Sequence, residues 1–397
     1  MNVTKITDKI HYIGVNDRTT PRFEALWSLP NGVCYNSYLV DGGDKVAIID
    51  GVETAMASRF IGHIREIIGE RKPDYLIINH MEPDHSGAIT VLRQEYPDMV
   101  IVGNGTTLQM VKGFYGIEEN TRLIKDGETL SLGSGVDLQF HLTPMVHWPE
   151  TMMTFVPQEK VIFTGDAFGC FGALNGAIID RDMDSDPYFP EMVRYYACIV
   201  GRYGQFVQRA LNKVGKLDFD TICSTHGPVW RERKDEVMSI YDKLSRYEPL
   251  DNGCTIVYGT MYGNMERAAE ALAGELAAQG VRPIKMYNAA NADLSEMLAD
   301  VFRHRGLAIA STTYSDGIFP PVREFFEALV TRKVTDREVA FLGSCSWSQQ
   351  AIKAMQAYFD TLSLTPVDDG ISFKHAPTQD SLKEARNLAT SLASRLK

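Results

Sequence analysis

The chain of 397 residues is 44% hydrophobic and 23% charged, a balance that supports buried cores and excludes a disordered or low-complexity protein. At about 150 residues per domain, two or three domains are expected. The net charge of −11 excludes the basic surface that nucleic acid would require, so no nucleic-acid partner is expected.

In chain order, the N-terminal stretch MNVTKITDKIHYIG lacks the apolar core of a signal peptide. No later run approaches the ~18 apolar residues of a membrane span. Together these predict a cytoplasmic protein with no membrane partner. The cysteines Cys34, Cys170, Cys198, Cys223, Cys254 and Cys345 are scattered and never form CxxC, so they read as reduced thiols. Apolar runs at 37–40 and 45–50, separated by DGGD, predict a hairpin. Residues 58–70 show helical spacing and precede a strand at 74–78. Further strands are predicted at 99–103, 136–143, 151–157, 160–166 and 219–226. Over residues 1–249 this mixture of hairpins and helices predicts packed sheets covered by helices.

The texture changes at RYEPLDNGC, residues 246–254. From 250 to 397, strands at 254–260, 283–288, 306–312 and 338–344 alternate with helical segments. That is the βαβ rhythm of a doubly wound parallel sheet.

The densest chemistry lies in HMEPDH, His80 to His85. Pro83 pushes Glu82 toward an extended conformation. Alternate residues of an extended chain share a face, so His80, Glu82 and Asp84 are expected to converge on one point with His85 beside them. Three later strand ends or adjoining loops each add one ligand-type residue: His147 in TPMVHWPE, Asp166 in VIFTGDAFG and His226 in TICSTHGPVW. A single His or Asp in such a place is more often a cap or a polar loop residue. The repeated placement makes a metal centre the better reading.

This pattern resembles the metallo-β-lactamase superfamily, whose usual signature is HxHxDH followed by later His, Asp and His. Glu82 stands where the second histidine would be, and with that exchange the whole chain resembles the flavodiiron protein family. The resemblance implies an αββα sandwich of the metallo-β-lactamase type followed by a flavodoxin-like domain. It implies two non-haem iron ions, one held by His80, Glu82, His147 and Asp166, the other by Asp84, Asp166 and His226, with Asp166 as the bridge. His85 is a ligand in some members and turned away in others. Carboxylate in place of imidazole makes the site harder and more anionic, favouring iron or manganese over zinc. Trp148, next to a ligand, is expected to wall the pocket. His11, His63, His141, His304 and His375 fall outside the pattern and read as surface or core residues.

In the second half, IVYGTMYGNMERAAEAL reads as strand, polar loop and helix, a phosphate cradle built from loop amides and a helix N-terminus. Two more loops, in ASTTYSDGIFPP and LGSCSWSQQ, follow strands of the same predicted sheet. Together they resemble flavodoxin, which implies FMN held by Thr260, Met261, Tyr262, Gly263, Asn264 and Met265 at its phosphate. Thr312, Thr313, Tyr314 and Gly317, with Ser344, Cys345, Ser346, Trp347 and Ser348, would flank its ring. The third loop departs from the usual GS-aromatic-GWSG: Cys345, Ser346 and Gln349 replace the aromatic and two glycines.

The resemblance therefore implies an oxidoreductase that passes electrons from FMN to a di-iron site reducing O2 to water and/or NO to N2O. Lacking the two CxxC knuckles of a rubredoxin, the chain is expected to draw electrons from a separate rubredoxin or rubredoxin-like donor. A head-to-tail homodimer, or a dimer of such dimers, is expected to bring each flavin to the other chain's metals. The alternative is a di-zinc hydrolase with an appended flavodoxin domain, against which Glu82 and the flavin loops both argue.

Overall fold

The computed structural model describes residues 3–397. The chain forms two compact units. One contains the chain up to Tyr195 together with Gln205–Asp242, and the other contains Tyr196–Gly204 and Lys243–Lys397. The short excursion Tyr196–Gly204 joins the second unit through specific bonds. An Arg332 guanidinium nitrogen donates to the Cys198 carbonyl at 3.0 Å and the Tyr247 hydroxyl donates to the Gly201 carbonyl at 3.0 Å. Nothing in the sequence pattern marks that excursion.

The first unit carries two large sheets beside two small two-stranded ones. The seven-stranded one runs in the order Thr4–Lys5, Ile10–Tyr12, Tyr38–Asp41, Val46–Ile49, Tyr75–Ile77, Val100–Gly103, Thr121–Leu123. The five-stranded one runs Thr129–Ser131, Asp137–Leu142, Met152–Val156, Val161–Phe163, Thr221–Cys223. The sheets face one another across an apolar layer, where the rings of Tyr38 and Phe163 lie 5.1 Å apart. Helices complete the αββα sandwich. In Ala57–Ile68 the buried residues Ala57, Phe60, Ile61, Ile64 and Ile68 recur at helical spacing and form its core-facing stripe.

Strand direction places the chemistry. Val46–Ile49, Tyr75–Ile77 and Val100–Gly103 run parallel, as do Val161–Phe163 and Thr221–Cys223. Asp137–Leu142 and Val161–Phe163 are both antiparallel to Met152–Val156, so they share a direction. His80, His147, Asp166 and His226 therefore all follow carboxyl ends. Thr154 Oγ1 donates to Asn79 Oδ1 at 2.7 Å and ties the two sheets together beside that edge.

The second unit is a parallel sheet in the order Ile284–Asn288, Asp251–Gly259, His304–Tyr314, Glu338–Cys345, Ile371–Lys374. Numbered along the chain this is 2-1-3-4-5, the flavodoxin order. Ile256 and Leu342 pack with Leu272 and Leu276 of the helix Asn264–Ala278 and with Leu388 and Leu392 of Gln379–Arg395. On the opposite face, Phe341 meets Phe359 of Gln350–Leu362 at 5.2 Å between ring centroids. The sequence reading finds four of these strands and misses the edge strand Ile371–Lys374, a short half-buried ISFK.

Candidate metal centre and cofactor pocket

The motif HMEPDH does not stay extended. Glu82 keeps an extended backbone, φ −56° and ψ 140°, but Pro83 then opens the helical turn Pro83–Ser86. Proline suits this first helical position because its missing N–H has no intrahelical acceptor there. The expected convergence of His80, Glu82 and Asp84 on one point is thus corrected. His80 and Glu82 go to one cluster, while the turn carries Asp84 and His85 to a second.

In the first cluster the ligand-type atoms of His80, Glu82, His147 and Asp166 all lie within 4.8 Å of one another. His80 Nε2 is 3.3 Å from Glu82 Oε2 and 3.2 Å from His147 Nε2. His147 Nε2 is 3.1 Å from both Glu82 Oε2 and Asp166 Oδ2. In the second cluster, His85 Nε2 is 3.2 Å from Asp84 Oδ2, and His226 Nε2 is 3.3 Å from the same oxygen. Asp166 Oδ1 completes it, 2.9 Å from His85 Nε2 and 3.6 Å from His226 Nε2. One carboxylate therefore faces both clusters, Oδ2 toward the first and Oδ1 toward the second. Here His85 is turned in.

The donor set fits a pair of cations. Ligand bonds of about 2.1 Å set neighbouring ligand atoms about 3.0 Å apart in octahedral and about 3.4 Å apart in tetrahedral surroundings, the range these side chains occupy. Both carboxylate oxygens of Asp84, Nε2 of His85 and Nε2 of His226 are buried without a hydrogen-bonding partner. Their close approaches lack hydrogen-bond geometry, and an unsatisfied buried polar atom costs about 1–3 kcal/mol. A cation would satisfy all of them at once.

Electrostatics agree. Burial works to raise the Asp166 carboxyl, but His85 and His80 hold it well below the usual range. Burial works to lower the His147 imidazole, yet Asp166 and Glu82 push it up to about 9. His85 reaches about 9 against the same burial, through Asp84 and Asp166. The site thus favours positive charge, and protons would compete with a metal for the same nitrogens.

Several supporting residues escape the motif reading. Glu150, buried, accepts from His80 Nδ1 at 2.8 Å and from the Met81 N–H at 2.9 Å. His226 Nδ1 donates to the Cys34 carbonyl at 2.7 Å, and Thr225 Oγ1 donates to Asp166 Oδ1 at 2.6 Å. Asp50 accepts the backbone N–H groups of Asn79 and His80, at 2.7 and 3.2 Å, and fixes the strand end that presents His80. Glu150 sits three residues beyond His147 in HWPE, a spacing that offered a hint. The others follow from tertiary approach alone. Trp148 stands edge-on to His80, with centroids 5.3 Å apart. Phe23 and Tyr195 pack on the His226 ring at 5.3 and 5.4 Å.

In the second unit a cavity of about 480 Å³ opens at the carboxyl end of the sheet. Thr260, Met261, Tyr262, Asn264 and Met265 line it from the first loop, Thr312–Asp316 from the second and Ser344–Ser348 from the third. Gly263 and Gly317 shape the loops without lining the cavity. Gly263 precedes the helix Asn264–Ala278 with φ 81°, and its N–H donates to Thr260 Oγ1 at 3.0 Å. Gly317 pairs with Tyr314 in a small hairpin. Tyr262 and Trp347 are 89% and 87% exposed, so two large ring faces stand open at the mouth for a planar partner. His375, expected to be a surface or core residue, is exposed at the surface and also lines this cavity. The reason is the missed strand Ile371–Lys374, which delivers it there.

All six cysteines are buried and none is in a disulfide. Among the described residues no helix is long and apolar enough to cross a membrane.

Comparison with known proteins agrees with both halves. The model of the ODP family beta-lactamase matches residues 33–227, and the flavodoxin model matches residues 256–388. The anaerobic nitric oxide reductase flavorubredoxin of Escherichia coli K12 is 30% identical over 399 aligned residues, spanning 98% of this chain and 81% of its own. Among solved structures, the rubredoxin oxygen:oxidoreductase of Desulfovibrio gigas superposes with a TM-score of 0.94 at 24% identity, covering 100% of this chain and 98% of that one. The flavodiiron protein of Giardia intestinalis gives 0.95 at 23%, covering 100% and 97%. With a relative matched along 98% of this chain, two family domains in the expected order and a paired His/Asp/Glu cluster at the sandwich edge, this chain belongs to the flavodiiron family of oxidoreductases.

Proposed function

We propose that this protein is a flavodiiron reductase of O2 and/or NO, taking electrons from a rubredoxin-type donor through FMN. The observation that carries the reading is the division of Asp166 between the two clusters, Oδ2 to one and Oδ1 to the other. A carboxylate so placed can hold two metal ions side by side, which a mononuclear site does not need.

His80, Glu82, His147 and Asp166 would hold one iron, and Asp84, His85, Asp166 and His226 the other. When bound, the iron pair and FMN supply the redox chemistry that no side chain here can provide. The chain's own residues bind and orient. Glu150 and the Cys34 carbonyl each take one imidazole proton, which leaves Nε2 of His80 and of His226 free to face the clusters. Phe23, Tyr195 and Trp148 exclude water from the walls. In the second unit, the Gly263 N–H bond to Thr260 Oγ1 shapes the first loop where it enters the helix Asn264–Ala278, and the N-terminus of that helix would seat the FMN phosphate.

The names of the relatives, one a nitric oxide reductase and one an oxygen oxidoreductase that carries rubredoxin in its name, support both substrates and the donor class. The rings of Tyr262 and Trp347, exposed at the cavity mouth, support a head-to-tail homodimer in which another chain's metal centre covers that mouth. The test is cofactor analysis of freshly purified protein. Two irons and one FMN per chain are expected; two zinc ions in place of iron would overturn the reading in favour of a hydrolase.

A further inference from the structure

The edge strand Ile371–Lys374 ends beside the third flavin loop. Its last register pair is Lys374 with Cys345, and the next residue, His375, donates its backbone N–H to the Cys345 carbonyl at 2.8 Å. His375 then takes a left-handed backbone, φ 61°. That conformation is uncommon outside glycine and marks a position where the surrounding structure imposes a shape. The chain leaves the sheet there, and His375, an exposed residue, lines the cavity formed by the three loops. No lysine or arginine lines that cavity, and its one carboxylate is Asp316. Among the described residues that line the cavity, His375 is thus the one with a basic side chain.

We propose that His375, just past the edge strand Ile371–Lys374, contacts the flavin ring as an N–H donor that binds the reduced ring more tightly than the oxidised one. The inference rests on the FMN reading above. The polar atoms of an isoalloxazine lie along one edge and gain electron density on reduction, so a donor reaching that edge favours the reduced state. The position also suits the altered third loop. Cys345 replaces the usual aromatic residue there, and the strand paired with it supplies a ring instead.

The experiment uses the full-length protein, stripped of flavin and titrated with FMN, followed by spectroelectrochemistry. His375→Gly removes the ring and accepts the left-handed backbone without strain, so the fold is retained. Oxidised FMN should bind about threefold more weakly and reduced FMN about thirtyfold more weakly. The tenfold difference corresponds to a two-electron midpoint about 30 mV lower. His375→Asn, which also tolerates this backbone and carries an N–H donor, should recover part of both effects. Lys374→Gln removes a neighbouring charge outside the cavity and should leave both unchanged. A His375→Gly protein with parental affinity and midpoint overturns the proposal while leaving the FMN reading intact. A parental protein that binds no FMN overturns both.

Discussion

Glu150 Oε1 lies 2.8 Å from Nδ1 of His80 and accepts the Met81 N–H with the same oxygen. One buried carboxylate thus fixes both the tautomer of a candidate ligand and the backbone that follows it. Replacing it by glutamine keeps the shape and an acceptor oxygen but removes the charge. Glu150→Gln should lower affinity at the first cluster by about 10–100-fold. Competition with a chelator of known affinity measures this, and an unchanged far-UV spectrum would show that the fold is kept.

Asp166 and His147 should differ in what they cost. His147 belongs to the first cluster alone, whereas Asp166 belongs to both by geometry. His147→Asn should therefore empty one seat and Asp166→Ala weaken both, with the flavin retained in each variant because its loops lie in the other unit. Iron assay and the flavin absorbance read the two outcomes separately. Loss of flavin together with iron would contradict the independence of the units.

The first flavin loop should hold FMN and reject FAD. TMYGNM contains no G-x-G-x-x-G turn, which a dinucleotide pyrophosphate requires for close approach. Mass spectrometry of the heat-released cofactor should find FMN alone. Gly263→Asp with Asn264→Asp sets two anions in the phosphate seat and strains a backbone at φ 81°, so it should abolish flavin binding while iron content stays at the parental value.

Head-to-tail assembly is testable by complementation. One chain carries His147→Asn and keeps its flavin; the other carries the doubly altered phosphate loop and keeps its iron. Each homodimer should be inactive. A purified mixed dimer should regain part of the activity, because the flavin of the first faces intact metals in the second. A mixed dimer with both cofactors present and no activity would exclude transfer between chains.

Much of this was legible in the sequence because the informative residues sit at the ends of strong apolar strands. DYLII, KVIFTG and FDTICST announce themselves, and His80, Asp166 and His226 follow directly. What was not legible depends on local geometry or on distant approach. Pro83 reads as an extender of the residue before it, and it does extend Glu82, yet it also starts the turn that divides the ligands between two clusters. Glu150 and Asp50 become supports only when the two sheets meet. The surface position of His375 agrees with its sequence, but its place at the cavity is not legible there because ISFK is too short to register as a strand, and the register of Lys374 with Cys345 sets that place.

Gas consumption by the reduced, metal- and flavin-loaded protein tests the account most directly. Under anaerobic conditions with a reduced rubredoxin as donor, addition of O2 or NO should be followed by rapid consumption of at least one of the gases, recorded by electrode. Asp166→Ala should abolish that consumption although its flavin is still reduced by the donor. Protein carrying two irons and one FMN per chain that is reduced by rubredoxin yet consumes neither gas would contradict the account.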